Sequence, residues 1–503
     1  MDPMYAVIFV IAIPLLAAPV TYLAGRLVAR KAGDSSTVNP ARWVALAAML
    51  LTGIPLFIAG RQVVTTGNSV GMMVETVPLQ FDGISLVLAV SVWMLGTLVI
   101  LFSGQYMQSE VGEEKFYALL LTMIGSMIGL GTAVDLFNLW VWFEAMAIAS
   151  YMLVAFYREQ PASLEAGVKY LVQSAVGSVF VLLGIAVVFM YTGTLNPETF
   201  RLYLMPWPGL MAAGAFFLIG FGVKTALVPL HTWLPDAHSQ APSGISAMLS
   251  GVVIETGMVA MLRALGALTA VRDWGIIIIV FAAVNMLIGN LMALRQKQVK
   301  RLLAYSSVAH MGYILFGIGI ALSFGAANGA AGGFFHLFNH AMMKGLAFLG
   351  VGALLYALYI ARGDHSPLMV DDLNGAAKKY PWVVLTLSIG LLGLGGLPPL
   401  AGFMSKWQIL VAGAQTQNVW IIVLVGFMGL NSVLSLGYYA PLVNRMYRTK
   451  PSDIVLEGKP VSWLMTLPLI LLAAGTVVLG FYPSLLNWLT HPAALALFQT
   501  FGR

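Results

Sequence analysis

Along most of the chain, apolar residues run for about 18 or more positions without a break, parted by short polar connections. A helix of that length crosses a hydrocarbon core of about 30 Å. The runs are continuous, without the alternation of barrel strands, and inside a bilayer only helices or closed barrels satisfy the backbone. The pattern therefore predicts an all-α polytopic membrane protein. Fourteen spans are expected, at roughly 4–28, 43–60, 83–104, 116–133, 136–157, 166–192, 209–232, 243–266, 274–294, 301–322, 329–360, 382–412, 418–444 and 463–487. The longest polar connections, near 361–380 and 448–460, read as loops. The N-terminus has no basic region, so the first apolar stretch is expected to be a retained helix and not a cleaved signal.

Composition agrees. Hydrophobic residues make up 59% of the 503 residues and charged ones 9%, against about 25% charged in soluble domains. The net charge of +6 is explained by loop placement and not by nucleic acid. Loops after odd-numbered spans hold Arg26, Arg30, Lys31, Arg42, Lys115, Arg158, Arg295, Lys297, Lys300, Arg301, Arg362, Lys378, Lys379, Arg445, Arg448, Lys450 and Lys459. Loops after even-numbered spans, with the C-terminus, hold Arg61, Arg201, Arg263, Arg272 and Arg503, so the split is 17 to 5. The positive-inside rule then puts odd-span loops in the cytoplasm and both termini outside a prokaryotic plasma (inner) membrane. With no cysteines, the chain has no disulfide, zinc–thiolate site or cysteine-bound iron–sulfur cluster. No cofactor is expected in it, and redox chemistry linked to it belongs to a partner.

Aligning Gly167 with Gly333 pairs Leu171 with Leu337, Ala175 with Ala341, Leu183 with Leu349 and Gly184 with Gly350. The offset relates span 6 to span 11, and an odd offset means inverted topology. Proline-broken stretches fall at corresponding places, Val228-Pro229-Leu230 in span 7 and Leu397-Pro398-Pro399-Leu400 in span 12. Broken helices in matching halves point to an ion site. The expected organisation is one transmembrane domain over 1–503. Helices 1–3 occupy 1–115, a first repeat of helices 4–8 occupies 116–266, a second of helices 9–13 occupies 274–447, and helix 14 with a tail occupies 460–503.

Four of the 26 basic residues, Lys169, Lys224, Lys344 and Lys406, fall inside apolar runs, as do Glu144 and Glu255. A charge at mid-membrane costs at least about 2.5 kcal/mol and marks function by default, though a static ion pair locking helices also fits. Lys169 lies near a span end, where a lysine snorkels. Desolvation brings buried lysines and carboxylic acids towards neutral titration, which suits proton exchange. His336, His340 and Lys344 recur every four residues, a polar stripe down one helix face, and His310 sits within span 10. Histidine suits a proton relay. The i, i+4 pair lacks the third ligand and H-E-x-x-H pattern of a metal site, and hydrogen-bonded packing alone is the bland alternative. His231, Asp236 and His238 mark a possible cytoplasmic entry or a capped loop. The chain has no nucleotide-binding or nucleophile-elbow motif.

The run Lys224-Thr225-Ala226-Leu227-Val228-Pro229-Leu230-His231-Thr232-Trp233-Leu234-Pro235-Asp236-Ala237-His238-Ser239-Gln240-Ala241-Pro242-Ser243 resembles a signature of the antiporter-like subunits of respiratory complex I. That superfamily includes membrane-bound hydrogenases and Mrp-type sodium/proton antiporters. The stretches from Arg301 to Gly312 and from Asn339 to Lys344 resemble two further signatures, and the likeness covers nearly the whole chain. It implies fourteen helices with spans 4–8 and 9–13 as inverted repeats and spans 7 and 12 broken. It implies that Glu144 pairs with Lys224, that Lys406 is the charged residue of span 12, and that His310 and Lys344 join the half-channels. Glu255 departs from the usual lysine at the central span-8 position and reverses the charge opposite Lys224. The chain is similar to the shorter subunits, without a long lateral helix after span 14.

The expected function is a proton- or sodium-translocating subunit of a multisubunit membrane complex. Glu144, Lys224, Glu255, His310, His336, His340, Lys344 and Lys406 form its path. Expected partners are sister membrane subunits, lipid, and peripheral iron–sulfur or flavin subunits of an NADH dehydrogenase-like or hydrogenase-like module. Alternatives are a subunit of an Mrp-type antiporter with no redox partner, an ion-coupled subunit for bicarbonate uptake, and a scaffold whose charges only hold helices together.

Overall fold

The computed structural model describes residues 2–32, 39–108, 110–200, 207–448 and 450–502. Arg201 and Arg503, and the side chains of Arg30 and Lys31, lie outside the described residues. Twelve helices among them are long and apolar enough to cross a membrane. Spans 1–6 are Pro3–Ala32, Ala41–Thr66, Gly83–Tyr106, Glu113–Thr132, Leu136–Val154 and Pro161–Thr192. Span 8 is Ser243–Ala267, and spans 9–11 are Gly275–Leu294, Val299–Phe324 and Ala327–Leu358. Spans 13 and 14 are Val419–Met446 and Trp463–Phe481. The protein is an integral, polytopic, all-α membrane protein.

The two remaining predicted spans are broken helices. Span 7 runs Pro208–Lys224, turns through 225–232 and resumes as Trp233–Gln240. Span 12 runs Pro381–Gly395, breaks at 396–400 and resumes as Ala401–Gln415. Each break holds a proline that cannot donate to the helical ladder. The first half-helix ends on Lys224 itself; the second ends at Gly396, whose φ of +80° is a left-handed C-terminal stop. Carbonyls freed at such ends lie in the membrane interior, where only protein groups satisfy them.

Spans 8, 10 and 11 are buried along nearly their whole length, whereas most of span 13 is not buried. Close approach at the centre depends on small residues. A Cβ on Gly251 of span 8 would lie 3.1 Å from the Ala341 carbonyl oxygen of span 11. Among the described residues, the ion pairs outside the buried Glu255–His340 contact join segments that the span count puts on one face. Arg26 meets Glu114 at 3.9 Å, His365 meets Glu110 at 3.8 Å, and Arg362 and Arg445 pair with Glu457 and Asp371. On the other face Arg263 holds Asp82 at 3.0 Å and the Gly131 carbonyl at 2.6 Å.

Two elements depart from the sequence expectation. A hairpin pairs Val70–Val74 with Val77–Phe81, Met72 opposite Leu79, before span 3. Its turn lacks the Asn-Gly or Asp-Gly pair that would flag it. After span 14 the chain continues through Pro483–Leu486 into a helix at Asn487–Thr500, where a simple tail was expected. This helix lies against span 3, so close that a Cβ on Gly83 would lie 2.1 Å from the Pro492 carbonyl.

Candidate functional site

Lys224 ends the first half of span 7 and is buried, so its ammonium lies at the negative end of a helix dipole. Nζ donates to Tyr170 Oη at 2.8 Å and to Ser174 Oγ at 3.2 Å, both on span 6. The Tyr170 ring, 4.5 Å away, stacks on Trp233 with centroids 4.0 Å apart, and Phe143 completes an aromatic enclosure. Cation–π attraction replaces part of the lost hydration. The resemblance led us to expect Glu144 paired with Lys224. Glu144 is half-buried, its Oε1 has no hydrogen-bond partner, and no ion pair joins the two among the described residues. Its neighbour Phe143 faces the ammonium instead, and Glu144 acts on Lys224 only through space.

Glu255 sits just after a π-helical turn, Leu249–Val253, in span 8. Such a turn admits an extra residue and resets the face that follows. The carboxylate points to span 11: Oε1 lies 2.8 Å from His340 Nδ1, with neither side chain exposed. The expected opposition of Glu255 to Lys224 is thereby corrected, because Lys224 packs against Gly257 and Glu255 faces His340. His340 stacks on His310 with centroids 5.2 Å apart, and His310 stacks on His336 at the same spacing. His310 Nδ1 and His336 Nε2 are 3.0 Å apart, and His336 Nδ1 is 2.8 Å from Ser405 Oγ.

Lys406 follows Ser405. Its Nζ donates to the Leu394 carbonyl, an orphan acceptor of the first half of span 12, at 2.9 Å and to Ser432 Oγ at 3.0 Å. It also stands 4.5 Å over the Tyr313 ring. A Cβ at Gly396 would come within 3.3 Å of this ammonium, so the glycine also makes room for it. Lys344, one turn beyond His340, donates to the Leu303 carbonyl at 2.8 Å and to Ser306 Oγ, which also accepts from Tyr439 Oη at 2.7 Å. The structure thus gathers Glu255, His340, His310, His336 and Lys406 into one buried line with Lys344 beside it. Lys224 stands apart, across Gly257. Sequence reasoning left Tyr170, Ser174, Ser306, Ser405, Ser432 and Tyr439 unassigned. Only Ser306 lay inside a quoted motif, and a serine carries no charge to flag it.

The three residues of the expected mouth diverge. Asp236 is clamped between Arg301 at 2.8 Å and Lys169 at 3.2 Å, the latter also bonded to Glu165 at 2.7 Å. His231 is nearly buried, edge-on to Tyr305. His238 does not line an open mouth: it is buried, stacked on Phe348 at 4.6 Å, and neither ring nitrogen has a partner. Among the described residues no cluster of three or more His, Asp or Glu has the geometry to hold a metal ion.

A buried line of titratable side chains that ends on a broken helix fits an ion-conducting membrane subunit, and the relatives of the chain are membrane subunits of such complexes. The family described as NADH:quinone oxidoreductase/Mrp antiporter, TM, matches residues 133–432, and complex I chain 5 N-terminus matches 69–117. The chain is 32% identical over 446 residues to F(420)H(2) dehydrogenase subunit N of Methanosarcina mazei, covering 86% of this chain and 87% of that one. It is 31% identical over 429 residues to NADH-quinone oxidoreductase subunit N of Trichlorobacter lovleyi, covering 84% and 85%. A subunit of the archaeal membrane-bound sulfane sulfur reductase, a respiratory membrane complex, superposes with a TM-score of 0.85 at 28% identity over 98% of this chain and 99% of that one. Whole-length similarity, two family matches and the buried line agree: the chain belongs to the NADH:quinone oxidoreductase/Mrp antiporter family of membrane subunits.

Proposed function

We propose that the protein is an ion-translocating subunit of a multisubunit redox complex in a prokaryotic plasma membrane, and that the ion is the proton. The observation that carries this is the buried sequence Glu255–His340, His310–His336–Ser405, joined by contacts of 2.8–3.0 Å and one ring stack, with Lys406 the next residue after Ser405. Nitrogen bases and hydroxyls pass protons, whereas hard cations such as sodium need several oxygen ligands. The relatives named above are subunits of an F(420)H(2) dehydrogenase and an NADH-quinone oxidoreductase, which supports a redox partner over a stand-alone antiporter. Sister membrane subunits and peripheral iron–sulfur or flavin subunits would complete the complex.

In this scheme Lys224 takes a proton from the cytoplasmic side, and the charge of Glu144, set by a neighbouring subunit, biases its release. The proton passes to Glu255 and His340, along the imidazole stack, and leaves outward from Lys406. Residues 116–266 and 274–447 act as two inverted five-helix units that hold the two broken helices. The basic-residue split and the ion pairs joining same-side loops support cytoplasmic odd-span loops and outward termini. The test is Lys224→Met in the complex purified in mild detergent and reconstituted in vesicles. Loss of proton uptake with intact assembly is expected; wild-type uptake refutes the scheme.

A further inference from the structure

A group of titratable side chains on the cytoplasmic side has no place in that scheme. Lys300 falls in a short loop by sequence, yet it is buried, its Nζ 2.6 Å from the Ala241 carbonyl oxygen. It lines a cavity of about 30 Å³ with Tyr106, Tyr157, Ser239 and His365, room for about two waters. The roof is built: Val299 N bonds the Leu368 carbonyl at 3.1 Å and Val370 N the Lys297 carbonyl at 2.9 Å, strapping the 363–370 loop over it. Outside lies a vestibule of about 440 Å³, and Tyr157, Gln160 and His365 wall both spaces. Glu110 opens on the vestibule 3.8 Å from His365. Burial pushes the Glu110 carboxyl above its ordinary range, against the pull of His365, so it binds protons at higher pH than a free carboxylate.

Next to the cavity-lining Ser239 in the chain stands His238, which is buried and feels the charges of Lys344 and Lys300 through space. Leaving two buried ring nitrogens unpaired carries a desolvation penalty that no bond offsets in packing. Lys344 in turn is bonded into the span 10–11 contact beside His340.

We propose a second proton intake, running from the Glu110–His365 pair through the cavity to Lys300 and His238 and joining the buried line at Lys344. It is separate from the Asp236 mouth, where Lys169 and Arg301 pair with the carboxylate. The proton moves without net charge change at His238. Lys300 ammonium gives one proton to a ring nitrogen, the other ring nitrogen gives one to the neutral Lys344 amine, and Lys300 is recharged through the cavity from Glu110 and His365. This intake rests on the ion-translocating function proposed above.

The chain has no cysteine, so one thiol can be placed in this subunit and its labelling read on this subunit, with the unsubstituted complex treated alongside as the control for thiols of its partners. In the intact complex, Ser239→Cys is treated in sealed vesicles of either orientation with a charged, membrane-impermeant thiol reagent. Labelling from the cytoplasmic face alone, with proton uptake falling at least about tenfold on labelling, is expected. Lys300→Arg keeps the charge and a donor for the Ala241 carbonyl but does not release a proton at neutral pH. A loss of about tenfold or more in uptake with normal assembly is expected; retained uptake would show a structural lysine and overturn the intake. An unlabelled thiol, or labelling without effect on flux, overturns it too, even where Lys300→Arg does not assemble. Lys224→Met separates the two proposals. If it pumps normally, the translocation scheme itself falls; if it is inactive while Lys300→Arg pumps, only the second intake falls.

Discussion

Replacing Glu255 by glutamine separates its chemistry from its packing. The carboxylate and His340 meet at 2.8 Å with no exposure on either side, and Oε2 and His340 Nε2 have no partner. In Glu255→Gln an amide oxygen still accepts from His340 Nδ1 at nearly the same volume. A charge-assisted hydrogen bond becomes a neutral one, a difference of about 1 kcal/mol. His340→Ala instead removes the only partner of Oε1, leaving a buried carboxyl with both oxygens unmet beside a new cavity, at about 3–5 kcal/mol. Both changes interrupt proton transfer, a step worth roughly a hundredfold or more in rate. The assay pairs thermal unfolding in detergent with dye-monitored proton uptake in vesicles. Glu255→Gln should unfold near the wild-type temperature and pump about a hundredfold more slowly, whereas His340→Ala should lose both stability and transport. Two results would refute the reasoning: Glu255→Gln pumping at more than half the native rate, or losing as much stability as His340→Ala.

Two further substitutions test the faces of the bundle. Asp236→Asn loosens Lys169 and Arg301, whose side chains are 50% and 35% exposed. Screened pairs of this kind contribute about 0–1 kcal/mol each, so the unfolding temperature should barely move, and less so at high salt. Arg263→Gln strands Asp82, which is 7% exposed and also caps span 3 through Ser85 N at 2.8 Å. A cost of about 3 kcal/mol is expected, seen as earlier unfolding with unchanged subunit composition on native gels.

The amount of structure legible in the sequence followed the strength of the physical constraint. The bilayer forbids unpaired backbone, so apolar runs announced the helices, and prolines at 229 and 398–399 announced the breaks. The hairpin at 70–81 and the helix at Asn487–Thr500 lie outside that constraint, and weaker local signals decide them. Within the site, lysines, glutamates and histidines stood out because charge is rare among apolar residues. Their partners did not. Whether Glu255 meets Lys224 or His340 depends on the face it presents, which the π-helical turn at Leu249–Val253 sets, and no spacing rule reveals such a turn. By sequence, span 10 starts at 301 and Lys300 falls in a loop, whereas the helix begins at Val299 and the loop strapped over it buries the lysine.

The glutamate in span 8 follows from what surrounds it. Lys224, Lys300, Lys344 and Lys406 are all buried, as are His238, His310, His336 and His340. Among the described residues, Glu255 is the only carboxylate with no exposure. In a medium of low effective dielectric, each added proton raises the free energy of the next one nearby. A line made only of bases would therefore admit few protons and hold them at its ends, where half-helix carbonyls attract cations. One acid at the start of the line inverts this locally, because a proton shared between Glu255 and His340 neutralises a charge and creates none. The start of the line becomes its most hospitable position, and passage from there requires only that an imidazole accept on one face as it donates from the other. A lysine at this position would repel the charge it was meant to receive from Lys224, and transfer would then require emptying it first. Glu255→Lys should accordingly make uptake depend on His340 far less, so that the double variant with His340→Ala pumps no more slowly than Glu255→Lys alone; a further drop in the double variant would show that the imidazole, and not the acid, governs the step.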